Sequence, residues 1–179
     1  MDSLKGHLLL ANGNLFDPNF RRTVVFLAEH SEEGAMGVVL NRPSEILVAE
    51  AVPPLADVVG DDEPLFIGGP VQPNDVLVMA TFEDPGLPGV VADGVGFLSG
   101  EIDEDSFRSV TDVRVFAGYS GWGSGQLEFE MAEDSWITEP ALAVDAFTED
   151  PEGLWSAVLR RKGGQFALLA TMPYDPQLN

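Results

Sequence analysis

Gly118-Tyr119-Ser120-Gly121-Trp122-Gly123-Ser124-Gly125 runs straight into Gln126-Leu127-Glu128-Phe129-Glu130-Met131-Ala132-Glu133-Asp134-Ser135-Trp136, and its reading decides the fold. Four glycines, a Tyr and a Trp occupy eight residues, and an acidic, helix-like run ending in a second Trp follows. A glycine cluster between an apolar strand and a helix is where backbones approach ligands, or each other, most closely. Upstream, residues 113–119 (Val-Arg-Val-Phe-Ala-Gly-Tyr) form the strand that feeds the cluster. Three motifs are excluded by single letters. A nucleophile elbow needs G-x-S-x-G, and Trp122 stands where the last Gly belongs. A dinucleotide fingerprint needs a third glycine, but Gln126 follows Gly121 and Gly123, and Ser99 follows Gly94 and Gly96. A P-loop needs Gly-Lys-Ser/Thr, and the only lysines are Lys5 and Lys162. Two readings remain: an anion cradle of backbone N–H groups over residues 121–125, or close packing of sheet, helix and Trp122. Glu128 and Glu130 already put negative charge at that helix start, which favours packing.

Working outward, residues 6–11 read as a short buried strand and Asn12-Gly13-Asn14 as its punctuation. Asp17-Pro18 supplies a cap and a first-turn proline, predicting a helical turn anchored by Phe20. Residues 23–30 and 35–40 predict an antiparallel hairpin across Ser31-Glu32-Glu33-Gly34, closed by Asn41-Arg42-Pro43. Apolar residues over 47–58 have helical spacing that Pro53-Pro54 should split. Residues 65–67, 75–82 and 95–98 read as strands and 83–89 as a surface loop. Asp103 is placed to cap a short helix facing Phe107 and Val110 inward. Asp150-Pro151 opens the clearest helix, with Leu154, Trp155, Val158 and Leu159 on one face and Gly163-Gly164 at its end. Arg160, Arg161 and Lys162 complement the negative end of its dipole. Residues 166–172 predict a last strand, with a loose tail from about 173. Strands and helices interleave irregularly with hairpins, which predicts a mixed α+β sheet in a single domain over 1–179.

Composition narrows the function. With 45% hydrophobic residues over 179 positions, the chain can bury a core without staples. The absence of Cys excludes disulfides, thiolate metal sites and a cysteine nucleophile. Nine basic against 30 acidic residues give −21, which repels nucleic acid and anionic membranes. The apolar run near the amino terminus is too short for a signal peptide, and no stretch reaches membrane-spanning length, so a cytoplasmic protein is expected. Two histidines are present. His30, near Glu29, Glu32 and Glu33, could act as a general base or half a metal site. Adjacent strand residues point to opposite faces, however, so Glu29 and His30 should not converge, and a hydrogen-bonded structural His is the favoured reading. Arg42, between Asn41 and Pro43, offers a planar fork for a carboxylate or phosphate, or an internal ion pair.

The order Asp17-Pro18-Asn19-Phe20, Glu29-His30, Gly34-Ala35 and Gly37, Asn41-Arg42-Pro43, Gly68-Gly69-Pro70-Val71, Gly118-Tyr119, Gly121-Trp122, Gly125-Gln126-Leu127-Glu128 and Trp136 resembles the YqgE/AlgH family of small bacterial proteins. The resemblance spans roughly residues 5–164. It implies a compact α+β domain whose strongly curved sheet folds toward a barrel with flanking helices. It also implies a cytosolic protein of unestablished activity, linked by name to transcriptional regulation and bringing no cofactor or metal. Many members carry Pro near Asn12-Gly13, and an Arg-Gly pair before a strand ending in His near residues 75–80; this chain has neither. The expectation is a non-enzymatic domain binding a small anion or a protein partner. Its expected surface comprises Glu29, His30, Asn41, Arg42, Gly68, Gly69, Gly121 and Gly123. The rival is a hydrolase or transferase with His30 as base beside Ser120. A third reading, direct DNA binding, sits badly with the acidity.

Overall fold

The computed structural model describes residues 1–13, 21–100 and 102–172. Its strands are β1 (His7–Ala11), β2 (Val24–Ser31), β3 (Gly34–Val39), β4 (Pro43–Leu47), β5 (Pro64–Ile67), β6 (Val71–Phe82), β7 (Val90–Ala92), β8 (Val95–Phe97), β9 (Val110–Trp122) and β10 (Trp136–Pro140). They form one mixed sheet in the order β10-β1-β2-β3-β9-β6-β8-β7, with β5 pairing both β4 and β9. Every ladder is antiparallel except β5 on β9. The ends of the order, β10 and β7, do not pair among the described residues, so the sheet stops short of a barrel. Bulges between Leu27 and Glu29 in β2 and between Val71 and Val76 in β6 bend it.

The apolar runs that announce β1 and β2 are continuous because both faces of these strands are buried. Leu8, Leu10, Val24 and Phe26 enter one core cluster, and Leu9, Ala11, Val25 and Leu27 enter a second. Strand β9 touches every core: Phe116 lies in the first, Trp122 in the second, and Val115 and Ala117 in a third with Val48 and Leu55. The 47–58 segment is split at its prolines as expected, into α1 (Val48–Ala51), a 3-10 turn (Pro53–Leu55) and α2 (Ala56–Val59). Further on come α3 (Gln126–Ala132), α4 (Ala143–Ala146), α5 (Leu154–Lys162) and α6 (Gln165–Leu169). The apolar face of α5 closes the first core. Its basic end does more than meet the dipole: Arg161 grips Asp145 with two hydrogen bonds of 2.7 and 2.9 Å, and Lys162 donates to the Thr138 carbonyl.

Several expectations are corrected. The glycine cluster is mostly strand: β9 runs through Gly118 and Gly121 to Trp122, and the turn comes only at Ser124-Gly125. The acidic helix stops at Ala132, and Trp136 opens β10 instead of ending that helix. Residues 166–172 do not form a strand; α6 occupies their first part. Short apolar runs carry no decisive periodicity, and the Ala and Leu of this one favour helix once Ala170 can reach the first core. Asp103 does cap a turn, reciprocally with Ser106, but Val110 belongs to β9. The predicted turn at Asp17-Pro18 and the tail beyond 172 lie outside the described residues.

Candidate functional site

The register of three strands lays out the best-formed candidate site. Glu29 of β2 lies opposite Met36 of β3, which lies opposite Gly121 of β9. Residues in cross-strand register share a face, so these three form one row. Tyr119, two positions before Gly121, joins the same face and pairs with Val71 of β6. This row floors an open groove of about 880 Å³, with Lys5, His30 and Glu33 also in its lining. The next row, His30–Ala35–Trp122, belongs to the opposite face and leads into the second core. Glu29 and His30 thus point apart, as strand geometry required.

His30 is committed on both ring nitrogens. The backbone N–H of Leu4 donates to Nδ1 at 2.9 Å, which leaves the ring proton on Nε2. Nε2 then donates to Glu128 Oε1 of α3 at 2.6 Å. The ring is buried and ties the amino-terminal segment to α3, with no lone pair left to take a proton from a substrate. Glu128 titrates below the ordinary glutamate value of 4.5, chiefly because of this hydrogen bond. A depressed folded-state value stabilises the protein above the unfolded value and loses that contribution as pH falls through the folded one. Accordingly, Glu128→Gln is expected to melt below the parent protein at neutral pH. The gap should close as the pH is taken below 4.5. Paired thermal melts across that range check it.

Ser120 does not join His30. It is fully buried, and its Oγ donates to the Gly68 carbonyl at 3.1 Å. The catalytic pair of the hydrolase reading is therefore not assembled. Gly68 and Gly69 pack on β9. A Cβ at Gly68 would lie 2.3 Å from the Gly118 carbonyl oxygen, and one at Gly69 would lie 2.2 Å from the Tyr119 carbonyl. The Gly123 N–H is engaged within the chain, donating to Gln126 Oε1 at 3.0 Å. Glu130, which the sequence marks only as charge at the helix start, organises this corner. Glu130 Oε1 accepts both indole N–H groups, from Trp122 at 3.1 Å and Trp136 at 2.9 Å.

Asn41 and Arg42 face a different cavity, of about 480 Å³, with Arg21, Arg22, Trp155 and Ser156. Asn41 is structural: its Oδ1 accepts from Val24 N–H and its Nδ2 donates to the Arg22 carbonyl, both at 3.0 Å. Arg42 donates to the Arg21 carbonyl, and the Arg22 guanidinium stacks on Trp155 at 4.5 Å. Of the eight expected site residues, then, Glu29 and Gly121 share the groove floor, His30 borders the groove with its ring turned to the other face, Asn41 and Arg42 share a cavity, Gly68 and Gly69 pack on β9, and the Gly123 N–H bonds Gln126. Tyr119, Met36 and Val71 were missed as site residues. The alternation of 119 with 121 was the one available signal. Among the described residues no three His, Asp or Glu side chains gather as a metal set, and no helix is long and apolar enough to cross a membrane.

A family model described as AlgH-like matches residues 8–167. The chain is 45% identical over 185 residues to a UPF0301 protein of Mycobacteroides abscessus, covering 97% of this chain and 87% of that one. It is 42% identical over 181 residues to a UPF0301 protein of Chlorobaculum tepidum, covering 97% and 95%. Two solved structures share the fold. One is a crystal structure of a Corynebacterium diphtheriae protein (TM-score 0.83, 27% identity, 96% of this chain and 94% of that one). The other is the solution structure of the AlgH protein from Pseudomonas aeruginosa, a UPF0301 protein (TM-score 0.72, 31% identity, 95% and 94%).

Proposed function

The chain belongs to the AlgH-like family, and we propose that it is a non-enzymatic binding domain whose contact surface is the groove floored by Gly121. One observation carries this reading. Most glycines around β9 answer a backbone demand, as Gly68, Gly69 and Gly118 do. Gly121 answers none. Its φ is not positive, and an added Cβ would meet only the Tyr119 ring and the Val71 side chain at ordinary distances of 3.7 and 3.8 Å. A glycine inside a strand weakens it, so one that packing does not require is accounted for by close approach of a ligand. The engaged nitrogens of His30 and the buried Ser120 Oγ support binding over catalysis. A regulatory role would run through the bound partner, since a charge of −21 opposes direct contact with DNA.

Gly121→Val tests it. A β-branched residue suits the strand, so stability should change by less than about 1 kcal/mol. The side chain would fill the groove floor and abolish binding. Amide chemical-shift mapping with a mixed library of small molecules and peptides should show shifts at residues 29–36 and 119–122 in the parent and none there in the variant. Ligands that bind both proteins alike would refute the groove as the site.

A second reading concerns the other cavity. Three of the nine basic residues, Arg21, Arg22 and Arg42, line it against one carboxylate, Glu152, and this excess of cations supports a small anion there. A thermal-shift screen of nucleotides, phosphates and carboxylates tests this reading; a genuine ligand must lose its effect in Arg42→Ala.

A further inference from the structure

We propose that the occupant of the Gly121 groove is a basic segment of a partner protein, an extended stretch that presents a lysine or arginine next to an apolar side chain. This rests on the groove being the binding surface. Shape excludes an enclosed metabolite: the groove is broad and open to solvent, where small-molecule sites bury most of their ligand. An extended segment lying along a strand surface fits such a shape.

The lining sets the chemistry. Met36, Val71 and Tyr119 surround Gly121 with apolar and aromatic surface, and Met is the side chain that adapts best to varied partners. Two acids, Glu29 and Glu33, stand in the same lining against a single cation, Lys5. Both carboxylates are exposed, and among the described residues neither makes an ion pair. The Cα of Glu29 stands directly opposite that of Met36 in the ladder, so the side chain is rooted at the border of the apolar floor. A segment entering there sets its apolar side chain over Gly121 and its cation toward Glu29 and Glu33, with the Tyr119 ring a second acceptor for the charge. The field of a −21 chain steers such a cation in and turns anionic ligands away.

The test uses the full chain and short synthetic peptides that alternate lysine with leucine or phenylalanine, beside the same peptides with glutamate for lysine. Amide shift mapping should place the lysine peptides on residues 29–36 and 119–122. Affinity should fall about tenfold in the Glu29→Gln, Glu33→Gln double variant and should fall again as salt rises to physiological strength. Glutamate peptides should produce no shifts. Lysine and glutamate peptides binding equally, lysine peptides mapping elsewhere, or no binding by any peptide would each overturn the proposal. The broader reading fails separately. If a neutral or anionic ligand binds the groove and is lost in Gly121→Val, the groove stands and the basic partner falls. If peptides bind Gly121→Val unchanged, both fall.

Discussion

Alanine at Gly69 is expected to destabilise the protein by about 2–6 kcal/mol. Gly69 has φ 156°, at the edge of the region that only glycine enters easily. Its missing side chain faces the backbone of β9: a Cβ there would sit 2.2 Å from both the carbonyl carbon and oxygen of Tyr119, and 2.5 Å from the Ser120 nitrogen. No rotamer change can relieve this, because no side chain is involved. Either the Gly68-Gly69 turn or β9 must move, and β9 pairs with β3, β5 and β6 and contributes to all three cores. Backbone strain of about 1–3 kcal/mol adds to overpacking of about 1–3 kcal/mol, a large share of the roughly 5–15 kcal/mol that holds a domain folded. Urea denaturation measures it. Gly13→Ala, where an added Cβ meets nothing within 4 Å among the described residues, is the control and should match the parent. A Gly69→Ala midpoint equal to the parent's would refute the packing role assigned to this turn.

Trp122→Ala should cost about 3–5 kcal/mol, the range for removing a large buried aromatic. The side chain is 6% exposed, sits among Leu9, Leu27 and Leu127, and meets Trp136 edge-on with ring centroids 5.9 Å apart. The loss is both a cavity and a broken polar link, since the Trp122 indole N–H donates to Glu130. Trp122→Phe keeps one aromatic ring in the core and loses the hydrogen bond with part of the indole volume, so a smaller loss of about 1–3 kcal/mol is expected. Denaturant midpoints of both variants decide the matter. A small loss in Trp122→Ala would turn Trp122 from a core residue into an exposed contact of the groove.

The glycine cluster explains why the candidate site was only half legible. Motif spacing correctly removed the elbow, the dinucleotide loop and the P-loop, because those chemistries need particular residues at fixed offsets. Spacing could not say which glycine was there for backbone and which for a ligand. Gly118 and Gly121 look alike in the chain, yet a Cβ would strike the Gly69 carbonyl oxygen at 2.5 Å from the first and meet only van der Waals neighbours from the second. That difference is made by strands distant in sequence. So is the anchoring of His30, whose partner Glu128 lies 98 positions away. The same holds for the separation of Arg42 from Glu29, which belong to the same hairpin region but face different cavities.

What the sequence by itself determined is local. Both-face burial wrote β1 and β2 as unbroken apolar runs, Pro53-Pro54 split the helical segment, and Asp150-Pro151 with Gly163-Gly164 framed α5. The excess of acids set the charge, and the ordered set of short motifs marked the family. Only tertiary structure decided the parallel seat of β5 on β9, the strand at Trp136, the helix over residues 165–169, and which residues share a groove. The physical reason is common to all four. Each depends on pairing register or core contacts between segments far apart in the chain, where local propensity is too weak to choose and burial of a whole face is not.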